Sequence, residues 1–251
     1  MDYLTVAAIG IAAGFMGGYS GIGGAPFIVF LMVTVLGMEQ HAAQGTVLAM
    51  MLGPMSLPAV ICAWPLLRPR LGIIGICVAT YAVMSYFGGL AAYALSQPDL
   101  KVLFGALLLA SGLYYALCFP ERFVCSRSRA RLSAMNITLT GMAVGFFGGM
   151  FGIGAGILLV PVFTSVFGLG QNEARSMSLA VLLPPVSLGA VVKYGLVEAD
   201  INWWYALVLL VSYMAFNGMG ARVGHGHEPE RLKRVLGVLL GLAGAILIYN
   251  R

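Results

Sequence analysis

Charged residues are what this sequence has least of. Asp, Glu, Lys and Arg make up 9% of its 251 residues, whereas soluble domains carry about 25%. So little charge cannot cover the surface of an ordinary cytosolic enzyme, and 60% hydrophobic residues exclude a disordered chain. The composition therefore predicts a membrane protein that crosses the bilayer several times.

The signatures of metal binding and catalysis are also missing. The four cysteines have no CxxC spacing, which excludes a zinc site and a disulfide framework. His225 and His227 lie in a hydrophilic loop, where we interpret them as passive, and no nucleophile–base pair is evident. We therefore expect a protein that is not an enzyme, with no catalytic residue, metal or cofactor. No acid lies deep in an apolar run, which disfavours cation transport, and the basic residues occupy short loops rather than a face for nucleic acid.

Eight apolar runs divide the chain: 3–36, 42–66, 71–96, 101–119, 135–168, 176–196, 202–221 and 233–250. Six have the length of one membrane crossing. The two longest hold 34 residues each, which is about 51 Å of helix, against a hydrocarbon core of about 30 Å. Because both carry central glycine clusters, we predict re-entrant helical hairpins that turn at the glycines. One long tilted helix, with glycines for close packing, is the alternative.

Loop charges predict the topology. Segment 120–134 is basic, as are loops 67–70 and 222–234, so all three are placed in the cytoplasm. Loop 195–201 is acidic and is placed outside. With a hairpin at each long run, this arrangement puts both termini outside the cell (inner) membrane.

The sequence repeats itself at a spacing of 131 residues. GFMGGYSGIGGAPFIVF at 14–30 aligns with GFFGGMFGIGAGILLVP at 145–161, with the same glycine spacing. Each repeat holds one hairpin and three crossings, an odd number, so we predict an all-α protein of two inverted repeats, the plan of secondary transporters. A parallel duplication would need an even number. The predicted units are repeat 1 at 1–119, a basic cytoplasmic linker at 120–134 and repeat 2 at 135–251.

The glycine clusters suggest an anion site. Glycine at a helix break allows backbone to approach a ligand, and the helix that starts there offers unpaired N–H groups and a positive dipole end. Two such tips facing each other would form one cradle near the midplane. The candidate residues are Ser20, Gly21, Gly23, Gly24, Gly152, Gly154 and Gly156.

Polar residues follow each hairpin at aligned positions. Gln44 aligns with Arg175, and both side chains can donate to an oxyanion. Arg175 could instead reach the interface and pair with Glu173, and Gln44 could make an interhelical hydrogen bond. Thr46 and Ser178 lie on the same two helices. His41 is a candidate proton-binding or gating residue, with a satisfied interfacial role as the alternative.

These motifs resemble the TauE/SafE family of sulfite exporters. GIGGAP at 21–26 is followed by AQGTVL at 43–48, and GIGAGILLVP at 152–161 by ARSMSL at 174–179. The resemblance implies export, or sometimes uptake, of small sulfur-containing or organic anions such as sulfite, thiosulfate and sulfoacetate. It assigns substrate binding to the hairpin glycines and to Gln44, Thr46, Arg175 and Ser178. The first proline is early, at Pro26, and the motif is altered at Val47 and Met177.

The sequence thus favours a secondary transporter that works by alternating access. Its expected partners are a small anionic substrate and membrane lipid, with no nucleic acid, and the oligomeric state is left open. An anion channel of the same architecture is the main alternative. A membrane enzyme or insertase would need a buried reactive residue, and a non-transporting scaffold would not need symmetric polar positions.

Overall fold

A computed structural model describes residues 2–20, 22–117, 132–154, 156–198, 200–225 and 229–249. The described residues form helices joined by short turns, with no strand among them. The first half forms α1 (Asp2–Ser20), α2 (Ala25–Thr34), α3 (Gln40–Met50), α4 (Leu57–Leu67), α5 (Leu71–Tyr93) and α6 (Gln97–Leu117). The second forms α7 (Ala134–Phe151), α8 (Gly156–Pro161), α9 (Gln171–Val181), α10 (Leu188–Val191), α11 (Trp203–His225) and α12 (Pro229–Tyr249).

The long helices confirm the expectation of an all-α polytopic membrane protein. Five stretches of the described chain are long and apolar enough to cross a bilayer: Asp2–Ser20, Leu57–Tyr93, Gln97–Ala116, Ala134–Phe151 and Trp203–Val223. The second contains α4, a 3-10 turn at Arg68–Arg70 and α5 in unbroken succession. Most of the linker 120–134 lies outside the described residues.

Each over-long run is broken at its glycine cluster. Run 3–36 becomes α1 and α2, and run 135–168 becomes α7 and α8, with a π-helical turn at Val162–Val166 after α8. Gly23 and Gly154 have φ of 83° and 70°, a left-handed conformation that favours glycine. The arms are unequal, because α1 has 19 residues and can cross a membrane alone, whereas α2 has 10.

Two runs that the sequence predicts as single helices are divided. Run 42–66 forms α3 and α4 with a break at 51–56, and run 176–196 forms α9 and α10 with a break at 182–187. Proline has no N–H to donate to the preceding turn, and Pro54 in one break aligns with Pro185 in the other. Apolar length alone does not reveal these breaks.

The largest helix interfaces join one half of the chain to the other. Helix α1 packs on α11, α7 packs on α5, and α6 packs on α12. Glycines allow the close approach: a Cβ added to Gly14 would lie 2.8 Å from the Tyr213 Cα, and one added to Gly145 would lie 2.7 Å from the Tyr81 Cα. The two contacts are equivalent, because each joins a glycine in the first helix of one half to a tyrosine of the other half.

Hydrogen bonds between the halves show the same reciprocity. The Ser56 hydroxyl donates to the Leu179 carbonyl at 2.8 Å, and the Ser187 hydroxyl donates to the Leu48 carbonyl at 2.8 Å. All four groups are buried, so each bond satisfies a carbonyl near a helix end that would otherwise lack a partner. The equivalent contacts fix the break of each half against the last turn of α3 or α9 in the other half.

Loop contacts define two ends of the helix bundle. At the Glu39 end, Gln97 donates to Glu39 at 3.4 Å, and the Tyr93 hydroxyl donates to Asp200 at 2.5 Å. At the Arg70 end, Arg70 forms an ion pair with the carboxylate of Glu173, which lies at the start of α9. Helix α5 runs from the Arg70 end to the Glu39 end.

Candidate functional site

The two glycine tips meet in the middle of the protein. We call residues 22–24 the first tip and residues 152–154 with Gly156 the second tip; Gly21, also a sequence candidate, lies outside the described residues. A Cβ added to Gly156 would lie 3.1 Å from the Gly23 nitrogen and would overlap the Ile22 carbonyl group. The tips are thus in backbone contact, which glycine alone allows.

Two aligned apolar side chains pack against the crossing of the tips. A Cβ on Gly154 would lie 2.7 Å from the Met51 Cε, and one on Gly23 would lie 3.5 Å from the Leu182 Cδ1. Met51 and Leu182 each follow the polar helix of their half, α3 or α9. The tips and the helix breaks therefore form one contact region.

Tyrosine fixes the first tip. The Gly24 N–H donates to the Tyr213 hydroxyl of α11 at 3.2 Å. The Ser20 hydroxyl donates to the Met16 carbonyl at 2.7 Å and accepts from the Ile22 N–H at 3.3 Å. The Ser20 hydroxyl and Gly24 N–H, which the sequence suggested as substrate donors, are thus used within the protein.

Gln44 lies directly against the second tip. It is fully buried, and a Cβ on Gly152 would be 2.9 Å from its Cα. Its Oε1 accepts a hydrogen bond from the Tyr194 hydroxyl at 3.1 Å, while its Nε2 has no partner among the described residues. An unpaired buried donor costs about 1–3 kcal/mol, and a bound acceptor would remove that cost.

Arg175 is the buried cation of the region. Its guanidinium interacts electrostatically with the Tyr115 and Tyr19 hydroxyls. The Tyr115 hydroxyl itself donates to the Ile157 carbonyl of α8 at 3.3 Å. The residue is 8% exposed, and its Nε and Nη2 atoms lack a partner in the part of the chain that is described. Glu173, the partner that the alternative interpretation gave it, is paired with Arg70 instead.

The other two polar candidates differ from each other. The Ser178 hydroxyl, on the same helix as Arg175, is fully buried and has no hydrogen-bond partner within the described ranges. The Thr46 hydroxyl donates to the Ala42 carbonyl at 2.7 Å and accepts from the Asn202 N–H at 3.1 Å. Ser178 is available to a ligand, whereas Thr46 joins α3 to the segment before α11.

His41 belongs to an aromatic cluster at the Glu39 end that the sequence did not reveal. Its ring stacks on Tyr93 at 4.4 Å between centroids, and its Nε2 lies 3.1 Å from the Ala92 carbonyl oxygen. Tyr93 also packs edge-on against Tyr194 at 4.9 Å, and the Lys193 ammonium lies 5.2 Å from the Tyr93 ring centre. The cluster unites residues from α3, α5 and the segment after α10, and no spacing in the sequence connects them.

The three polar candidates that lack a full set of partners are mainly hydrogen-bond donors. Gln44, Arg175 and Ser178 present unpaired polar atoms, three of the four being N–H groups that can only donate. Within the described residues, no group of three or more His, Cys, Asp or Glu side chains could hold a metal ion. The arrangement suits a ligand rich in acceptor oxygens.

A family model described as Sulfite exporter TauE/SafE matches residues 6–247. The chain is 26% identical to the probable membrane transporter protein MJ0441 of Methanocaldococcus jannaschii, over 66% of this chain and 64% of that protein. It is 30% identical to the probable membrane transporter protein YunE of Bacillus subtilis, over 43% of this chain and 38% of that protein. The match thus spans less than two thirds of either relative.

A further relative matches almost from end to end. The probable membrane transporter protein YdhB of Bacillus subtilis is 24% identical over 98% of both chains. No solved structure matches the chain.

Proposed function

Because the chain belongs to the sulfite exporter TauE/SafE family, we propose that it exports small sulfur-containing oxyanions or organosulfonates across the cell (inner) membrane. As a member of this family it is a membrane transporter and not an enzyme. The observation that carries the choice of substrate is the set of unpaired, buried donors on α3 and α9, at Gln44, Arg175 and Ser178, of which Gln44 contacts the second tip. Sulfite, thiosulfate and sulfoacetate all present several acceptor oxygens to such a site.

The charge of the site supports an anion. Arg175 is ionised at every physiological pH, and a buried charge without a partner is costly. A bound oxyanion would supply that partner through two parallel hydrogen bonds, which guanidinium geometry favours. Ser178, three residues further along α9, could donate to a third oxygen.

Alternating access is the transport mechanism we propose. The halves repeat the same contacts, and an inverted pair of repeats can rock about a central site. The Glu39 end is held by the Tyr93–Asp200 bond and the Arg70 end by the Arg70–Glu173 pair, so each end can open while the other stays closed. The basic residues near Arg70 favour a cytoplasmic position for that end and an outside position for both termini.

Binding measurements on the purified protein test the substrate class. Calorimetry with sulfite, thiosulfate, sulfoacetate, taurine and sulfate should show saturable binding of at least one of the first three. Arg175→Ala and Gln44→Ala should each weaken that binding about tenfold or more, the loss of one hydrogen bond to a charged group, without loss of folding. Preferential binding of a cation, or unchanged affinity in both variants, would overturn the proposed site.

Counterflow in liposomes separates a transporter from an anion channel. Vesicles that contain the protein and are preloaded with unlabelled sulfite should take up labelled sulfite faster than vesicles that contain the protein without preloaded sulfite. An anion channel would give no such trans-stimulation, and its flux would not saturate at low concentration. That result would replace the transport mechanism while leaving the anion site in place.

A further inference from the structure

The Tyr194 hydroxyl links three elements beside the second tip. It lies 3.1 Å from the Gln44 Oε1 of α3 and 3.2 Å from the Met150 carbonyl oxygen in the last turn of α7. Tyr194 belongs to a π-helical segment, Val192–Val197, that follows α10. The side chain is fully buried.

The Tyr194 ring is held firmly in place. Gly45 makes room for it, because a Cβ at Gly45 would lie 3.0 Å from the Tyr194 Cδ1. Tyr93 packs against it edge-on at 4.9 Å between ring centres. A ring packed in this way keeps its hydroxyl in one position, and a fixed hydroxyl can orient the group to which it donates.

Glutamine and arginine differ in whether they need orienting. A guanidinium carries donors on every nitrogen, whereas an amide has one acceptor end and one donor end. Arg175 therefore donates in any rotation about its last bond and needs no group to orient it. In the other half, the position that aligns with Tyr194 is Ala63, which has no hydroxyl. Gln44 donates towards a ligand only if its oxygen is directed elsewhere. The Tyr194 hydroxyl has one proton and two acceptors within reach, and the nearer of the two, at 3.1 Å, is the Gln44 oxygen.

We propose that Tyr194 is a positioning residue that fixes the Gln44 amide with its N–H groups towards the substrate, so that the two unlike halves present donors alone. The inference rests on the proposed function, since it explains how that site selects an oxyanion. It also explains how the site would discriminate an oxyanion from a cation. An amide held in this orientation repels no acceptor oxygen of an anion and offers no acceptor to a cationic group.

A double-mutant cycle on anion affinity tests the proposal. The four proteins are the wild type, Tyr194→Phe, Gln44→Met and the double variant, with Tyr114→Phe as control because the Tyr114 hydroxyl contacts Ser165 on the exposed surface. Tyr194→Phe keeps the packed ring and should weaken sulfite binding about fivefold. In the Gln44→Met protein, the same change should have almost no further effect, because there is no amide to orient.

Gln44→Arg provides a second and independent arm. A guanidinium at this position needs no orienting group, so adding Tyr194→Phe to Gln44→Arg should leave sulfite affinity unchanged. Thermal unfolding of every variant shows whether the fold persists. Tyr194→Phe removes the hydroxyl from the Met150 carbonyl in every background, so this part of its effect cancels when the change is compared between backgrounds.

Each result supports or overturns the inference. Equal losses from Tyr194→Phe in the wild-type and Gln44→Met backgrounds would show that the Tyr194 hydroxyl acts through the Met150 carbonyl and not through Gln44. Tighter sulfite binding in Tyr194→Phe would show that the amide is held in the opposite orientation. A wild-type protein that binds none of the tested anions would refute the proposed function itself, whatever the variants do.

Discussion

At the scale of single residues, the proposed anion site depends on Arg175 and Gln44. They occupy aligned positions, and both bury donor atoms that have no partner among the described residues. Only Arg175 carries charge. The protein therefore buries one full positive charge on α9 and supplements it with neutral donors, an arrangement that would suit a small anion of low charge.

Replacing Arg175 with glutamine, the residue at the aligned position 44 of the other half, isolates the contribution of that charge. Arg175→Gln keeps a polar side chain but loses the guanidinium, so sulfite affinity should fall about tenfold to a hundredfold, as expected for one or two hydrogen bonds between charged groups. Calorimetry measures the change. The matched control is Arg222→Gln, an exposed arginine of α11, and equal losses in both variants would mean that Arg175 acts only through the overall charge.

At the scale of elements, the two tips depend on a backbone contact that leaves no room for a side chain. Gly156→Ala would press a methyl group into the Ile22 carbonyl and separate the tips, so transport should be lost and the melting temperature lowered. The control is Gly75→Ala in α5, where a Cβ would meet nothing within 4 Å. That variant should keep its activity, and a similar response in both proteins would show that the tip contact is dispensable.

The breaks at the tips could be predicted from the sequence because glycine itself permits the backbone conformation at each break. Glycine, which has no side chain, is the residue that tolerates the positive φ of Gly23, Gly152 and Gly154. Apolar length does not reveal the breaks at 51–56 and 182–187, because both interrupt apolar runs; their signal in the sequence is the proline in each, Pro54 and Pro185. Hydropathy reports what a segment is buried in, and a buried break is as apolar as a buried helix.

The site was only partly predictable for a different reason. Gln44 and Arg175 could be proposed as candidates because polar residues at aligned positions in apolar runs are visible in the sequence. Tyr194 was not, because its bond to Gln44 joins residues 150 apart. The roles of Ser20 and Thr46 as internal partners also depend on neighbours that only the folded chain provides.

At the scale of the whole molecule, the two ends are closed by different chemistry. The Arg70 end is joined across the two halves by an ion pair between half-buried side chains, whereas the Glu39 end is joined by the hydrogen bond from the Tyr93 hydroxyl to Asp200, next to stacked rings. An ion pair in this position is worth about 0.2–1 kcal/mol. If the ends open in turn, the Arg70 end should therefore be the easier one to release by mutation.

Glu173→Gln tests this difference. Loss of the ion pair with Arg70 should open that end more often and raise the labelling rate of a cysteine at the buried position Ser176 about twofold to fivefold with a membrane-impermeant maleimide. The comparison protein carries Ser176→Cys with Glu39→Gln, which alters the other end. Equal labelling of the two proteins would show that the Arg70–Glu173 pair does not hold that end closed.

The packing of α1 on α11 has a consequence for how the chain is made. Proteins emerge at about 5–20 residues per second, so the roughly 200 residues between Gly14 and Tyr213 represent a delay of about 10–40 s. During that time the glycine face of α1 can only contact lipid or a transient partner. Helix α7 meets no such delay, because its partner α5 has already been synthesised. Two interfaces that are equivalent in the finished protein are thus assembled in opposite order, and the first helix to be made is among the last to find its place.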